Sequence, residues 1–241
     1  MPAVSFTPCA ITLDLDDTLW PFAPIGERIE HALHQWLREH SPRTAEHFDI
    51  AAMRALREQV WREHPEHAHD VSLLRRMTIQ RALDDSGGDS ALADAAYEIF
   101  YRERNRVSFY PDALAALQRL AARVPVAGLT NGNADLAAIG IDGHFVFNLA
   151  ARDHGAAKPA ASLFHAACER LAVPAHAVLH VGDHPHMDVE GARRAGLRSC
   201  WINRVGATWP RELPAPDLAF TDLAELADWF DARPNPTRTP R

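Results

Sequence analysis

The feature that most constrains this chain is an alternation of short apolar runs with helical patterns, interrupted once. Runs of strand length lie at 10–15, 124–129, 145–147, 177–181, 199–202 and 217–220. Most hold too few polar residues to leave one face in water, the mark of strands buried on both sides. Helical periodicity fills 112–122, 161–171, 189–195 and 222–230 between them. Parallel strands need crossover helices, so the pattern predicts an α/β fold with a doubly wound parallel sheet. From about 22 to 108 there is no strand candidate, and 26–40, 45–64, 71–85 and 90–107 all read as helix. Ser86-Gly87-Gly88-Asp89 breaks the third from the fourth, and Pro21, Pro24 and Pro111 mark the junctions. The expected organisation is a Rossmann-like core over 1–21 and 109–230, an all-helical insertion over 22–108, and a mobile Pro/Thr/Arg tail over 231–241.

With 241 residues, 47% of them hydrophobic, the chain can bury a full core. A formal charge of -7 and the absence of any Lys/Arg run interleaved with aromatics exclude nucleic acid as the main partner. No signal-peptide pattern and no 18-residue apolar run occur, so the expectation is a soluble cytoplasmic protein with no membrane partner. Oligomeric state is not legible. Cys9, Cys168 and Cys200 form no C-x-x-C pair and read as small core residues. Trp36, Trp61, Phe100 and Tyr101 read as helix-packing residues of the insertion. His64, His67 and His69, and likewise His184 and His186, match no zinc spacing and read as structural or solvated. Lys158 is the only lysine in a chain that otherwise writes its basic residues as arginine.

Chemistry gathers at the strand ends. The first strand runs into Asp14-Leu15-Asp16-Asp17-Thr18, the second into Thr130-Asn131-Gly132-Asn133, and the fourth into Gly182-Asp183 with Asp188 just beyond. In an open α/β sheet all three emerge on the rim where ligands bind. Asp14, Asp183 and Asp188 ionised together repel one another by roughly 4 kcal/mol per contact at 4 Å and an effective dielectric of about 20, so a cation is required. Oxygen-only ligation suits Mg²⁺. Three carboxylates, Mg²⁺ and Lys158 sum to about zero charge, a site that accepts a small phosphate ester. Asp17 points away from its neighbours on an extended segment, and Thr18 is left unassigned.

These four stretches, in this order, resemble the motifs of the haloacid dehalogenase superfamily of phosphatases: Asp14 to Thr18, Thr130-Asn131-Gly132, Lys158-Pro159, and Gly182-Asp183 through Asp188. The resemblance implies that Asp14 is the nucleophile of an aspartyl-phosphate mechanism and Asp16 its acid and base. It implies that Thr130, Asn131 and Lys158 bind the phosphate, and that Mg²⁺ is held by Asp14, the Asp16 carbonyl and Asp183. Asp188 either joins the metal shell or orients Lys158. The helical insertion would be the family's cap. Within the family the chain is similar to bacterial phosphatases of flavin mononucleotide and of the riboflavin precursor 5-amino-6-(5-phosphoribitylamino)uracil, through His69-Asp70-Val71, Arg75-Arg76, His154-Gly155, Leu179 to Asp183 and Cys200-Trp201-Ile202. A phosphomutase, a sugar or phosphoglycolate phosphatase, and a non-catalytic receiver or binding module are the alternatives. A phosphonatase is excluded by the lack of a lysine in the insertion.

Overall fold

Strand β1 (Ala10–Leu13) is buried along its whole length and carries no polar side chain except Thr12, so it sits at the centre of a sheet. The structure, a computed structural model, describes residues 6–233. After β1 the chain enters α1 (Ala23–His40), α2 (Pro42–His47), α3 (Ile50–Glu63), α4 (Val71–Ser86) and α5 (Ala93–Arg104). It continues through α6 (Ala113–Arg123), β2 (Val126–Thr130), α7 (Leu136–Ile139), β3 (Phe147–Ala150), α8 (Ala151–His154), α9 (Ala161–Leu171) and β4 (Val178–Gly182). A wide helical turn, Pro185–Glu190, leads into α10 (Gly191–Arg194), β5 (Arg198–Ile202), β6 (Leu218–Phe220) and α11 (Leu223–Asp231).

The six strands form one parallel sheet in the order β3-β2-β1-β4-β5-β6, the doubly wound α/β architecture expected from the alternation. The order reverses between β2 and β4 around β1, and the carboxyl ends of those three strands carry the candidate residues. Register places Thr12 beside His180 and Leu13 beside Val181. Leu163, Phe164 and Ala167 of α9 pack with Ala10, Leu129 and Val178 over one face of the sheet.

Two compact units divide the described residues: 6–21, 108–132 and 140–233 in one, 22–107 and 133–139 in the other. In the second, Ile25, Ile29, Leu33 and Leu37 recur every four residues and bury one stripe of α1. Glu103 of α5 accepts a 3.1 Å hydrogen bond from Arg28 of α1. Gly87 ends α4 in the left-handed conformation, φ +66, which glycine adopts without strain. The segment 133–139, expected in the core, groups with the helices because its polar groups bond there. Asn133 accepts from Arg104 at 3.0 Å and donates to Ser72 at 3.1 Å, while Asp135 accepts from Tyr101 at 2.5 Å.

Three other expectations change. Cys9 is exposed, whereas Cys168 and Cys200 are buried. Phe100 is buried, but Trp61 is 39% exposed and Trp36 stacks on His40 of its own helix. The expected tail begins inside α11, and the Arg233 guanidinium lies 3.5 Å from the Trp229 ring centroid; residues 234–241 lie outside the described residues. Among the described residues no helix is long and apolar enough to cross a membrane.

Candidate active site

Asp14 is the first residue past β1. Its N–H still joins the ladder by donating to the Val181 carbonyl at 2.9 Å, so its carboxylate leaves the sheet at a fixed point. Asp183 and Asp188 follow β4, and one oxygen from each of Asp14, Asp183 and Asp188 lies within 4.8 Å of the others. Among the described residues this is the one group of carboxylates, imidazoles and thiols that converges in this way. The histidine pairs do not join it. His184 instead caps the wide turn, its Nδ1 accepting from the N–H groups of His186 and Met187.

Lys158 lies in the middle of the group, 4% exposed, and its Nζ donates to Asp14 at 2.5 Å and to Asp188 at 2.7 Å. Three carboxylates against one ammonium leave an excess of two negative charges. Burial raises the Asp14 carboxyl well above its usual value; Lys158 pulls it back, and Asp188 and Asp183 push it further up. Burial, then Asp188 and Asp17, push Asp183 up to about 7. Burial also works against Asp188, but Lys158 and His180 outweigh it and hold that carboxyl below the carboxylate range. The ammonium of Lys158, despite its burial, is held charged by Asp14 and Asp188.

Both oxygens of Asp188 are engaged. Its Oδ1 accepts from Lys158 and, at 3.2 Å, from His180 Nε2, and its Oδ2 accepts from the His184 N–H at 2.9 Å. Gly182 makes room for it, since a Cβ there would stand 2.3 Å from the Asp188 Cγ. Of the two roles open from the sequence, the geometry favours orienting Lys158. Asp183 is less committed: its carboxylate receives a long 3.5 Å contact from Thr18 Oγ1, while its carbonyl accepts from Trp201 Nε1 at 2.7 Å.

The remaining residues divide. Thr130, at the end of β2, is buried, and its Oγ1 accepts from the Gly132 N–H at 2.9 Å, which leaves the hydroxyl proton to donate. Asn131, expected on the phosphate, has its amide engaged elsewhere: Oδ1 accepts from the Lys158 N–H at 2.7 Å and Nδ2 donates to the Lys158 carbonyl at 3.0 Å. It clamps the backbone that carries the ammonium. The Asp16 carboxylate stands outside the acidic group and accepts from Trp20 Nε1 at 2.8 Å, on a turn that Asp17 closes with φ +57. Arg204 was not found from the sequence, because one arginine among many carries no local signal. It donates to the Thr18 carbonyl at 2.8 and 3.1 Å and to both oxygens of Asp112, tying the turn after β1 to the start of α6.

A family model for haloacid dehalogenase-like hydrolases matches residues 10–196, which span β1 through the four motif stretches. The chain belongs to that family. It is 35% identical to 5-amino-6-(5-phospho-D-ribitylamino)uracil phosphatase YigB of Escherichia coli, over 90% of this chain and 94% of that one. It is 34% identical to a phosphoserine phosphatase of Thermus thermophilus, over 86% of this chain and 78% of the other. A crystal structure titled as a 2-haloacid dehalogenase from Pseudomonas syringae pv. tomato superposes with a TM-score of 0.86 at 36% identity, covering 94% of this chain and 99% of that one. This member of the family is a hydrolase of the phosphatase type, the type of the two curated relatives named above.

Proposed function

We propose that the chain hydrolyses a small phosphate monoester in a Mg²⁺-dependent reaction through a covalent intermediate on Asp14. The observation that carries this reading is the buried acidic group with its single ammonium, whose two excess negative charges a divalent cation balances. The donor set fits such an ion: all oxygen, with the Asp183 carboxylate and the second Asp14 oxygen not consumed by Lys158. Bound there, Mg²⁺ would supply charge neutralisation for an incoming phosphoryl group.

The residues divide the work by position. Asp14 Oδ1 is held by Lys158, so the carboxylate is presented in one orientation as the nucleophile, and attack transfers the phosphoryl group to Asp14 as the ester oxygen departs. Asp16 gives that oxygen its proton and then takes one from the attacking water. Lys158 and the Thr130 hydroxyl hold phosphoryl oxygens, while Asn131 and Asp188 fix the backbone and the ammonium of Lys158. In this reading the helical unit is the cap, and the likeness to the ribitylamino-uracil phosphatase makes its phosphate ester the first substrate to try.

The likeness to a structure titled as a haloacid dehalogenase favours a second reading, release of halide from a 2-haloacid. That reaction needs no cation, and the acidic excess beside Asp14 argues against it. The deciding experiment measures phosphate release with and without Mg²⁺ from flavin mononucleotide, the ribitylamino-uracil phosphate, phosphoserine, phosphoglycolate and sugar phosphates, and halide release from 2-chloropropionate. Mg²⁺-dependent turnover of phosphate esters supports the proposal. Metal-independent halide release without phosphate release overturns it.

A further inference from the structure

One buried polar side chain beside the site has no part in the mechanism above. His180 lies mid-strand in β4, its side chain wholly buried, with the Phe164 ring edge-on at 5.0 Å. An aliphatic residue would fill such a place without the cost of burying an imidazole. Both ring nitrogens are used. Nδ1 is 2.9 Å from Thr12 Oγ1 on the neighbouring strand, where register sets the two residues side by side, and Nε2 is 3.2 Å from Asp188 Oδ1. Asp188 already accepts from Lys158 and from a backbone N–H, so it faces His180 as an acceptor: Nε2 of the neutral ring carries the proton and Nδ1 accepts from the Thr12 hydroxyl.

Three donors hold the Asp188 carboxylate. One is a backbone N–H, one is Lys158, and the third is His180. Oδ1 is shared between Lys158 and His180, so the imidazole sets how that oxygen faces the ammonium. If the imidazole N–H is lost, Oδ1 keeps a single donor and the carboxylate is held at two points instead of three, which loosens how Oδ1 faces the ammonium. We infer that Thr12 and His180 form a buried positioning relay that holds Asp188 as the acceptor of Lys158 and keeps it from turning toward a bound cation. The chain of contacts runs Thr12, His180, Asp188, Lys158, Asp14, from the middle of the sheet to the proposed nucleophile. His180 is a positioning residue in this scheme, and only the activity arm of its test rests on the proposed phosphatase reading.

The test compares His180→Met, which fills similar space with no donor, with His180→Gln, which places an amide N–H the same number of bonds from the backbone. Because Lys158 is the only lysine, ¹⁵N-lysine labelling yields one side-chain ammonium signal in the full chain. With the best phosphate ester found and saturating Mg²⁺, His180→Met should lower kcat about 10- to 100-fold with little change in KM, as loss of an outer hydrogen-bonding partner does. Its ammonium signal should shift or broaden, and half-saturation by Mg²⁺ should move. His180→Gln should recover most of the lost kcat and restore the signal. Thr12→Val, a smaller perturbation that covers the case in which His180→Met does not fold, should move the same signal and lower kcat about two- to fivefold. Wild-type kcat and an unmoved lysine signal in His180→Met overturn the relay. So does an equal loss in the Met and Gln variants that tracks their melting temperatures, since that is a packing effect. If the wild-type protein turns over no phosphate ester, the phosphatase reading fails, and the lysine signal still decides the relay.

Discussion

Replacing Lys158 with methionine removes the one positive charge from a group of three carboxylates whose nearest oxygens lie within 4.8 Å of one another. At that separation each like-charged pair is worth about 3.5 kcal/mol at an effective dielectric of about 20. The variant avoids part of this by taking up protons, so the expected cost is that of orphaning a buried ion pair, about 3 to 5 kcal/mol at pH 8 with chelator present. The sign of the pH dependence follows from the directions of the shifts. In the wild type, Lys158 and His180 hold Asp188 below its unfolded value despite burial, so its stabilisation is present at neutral pH and is lost only as pH falls through the folded value. In the variant, Asp188 is buried without that counter-ion and joins Asp14 and Asp183 above the unfolded value. A raised carboxyl destabilises at high pH, and its penalty shrinks as pH falls through the folded value toward about 4. The gap between wild type and Lys158→Met should therefore shrink to about half or less between pH 8 and pH 4.5. Urea titrations followed by tryptophan fluorescence at both pH values measure it. A loss below about 1 kcal/mol at pH 8, or a gap that does not change with pH, refutes the electrostatic account.

Asp14→Asn should lower phosphate-ester turnover by about 10⁴-fold or more with an unchanged far-UV circular dichroism spectrum, as loss of a nucleophile does. With Asp183 raised to about 7, protons compete with the cation, so half-saturating Mg²⁺ should rise as pH falls from 8 to 6; Asp183→Asn should reduce that pH dependence, leaving the part due to Asp14, and weaken activation by Mg²⁺ in the same assay. Gly182→Ala sets a Cβ 2.3 Å from the Asp188 Cγ, displacing the carboxylate from its three donors, and should cost about 3 kcal/mol or more in a urea melt along with most activity.

Much of the site was legible because its carboxylates sit directly after apolar strands, and strand ends converge in a parallel sheet wherever the crossovers place them. Asp14 and Asp183 come together in this way, and Asp188 from the turn beyond β4 and Lys158 from the loop after α8 join them. What the residues do to one another was not legible. Asn131 spends its amide on a backbone 27 positions away, and Arg204 reaches a carbonyl 186 positions away. No spacing in the sequence announces either bond, because each depends on loops brought together by the sheet. His180 looked like one more residue of a buried strand, and its partner Thr12 lies 168 positions earlier.

The sequence by itself determined the α/β class, the six strands and the helical run between the first and the second. Burial on both faces is recorded in the residues of most of the strands, and helical period is recorded in a few consecutive turns. Only the tertiary structure decided that Asp188 accepts from Lys158, that the Asn131 amide bonds the Lys158 backbone, that 133–139 groups with the helices, and that Cys9 is exposed. Those outcomes turn on which donor meets which acceptor across strands and loops far apart in the chain. Register and crossover geometry set such meetings, and neither is written in any local stretch of residues.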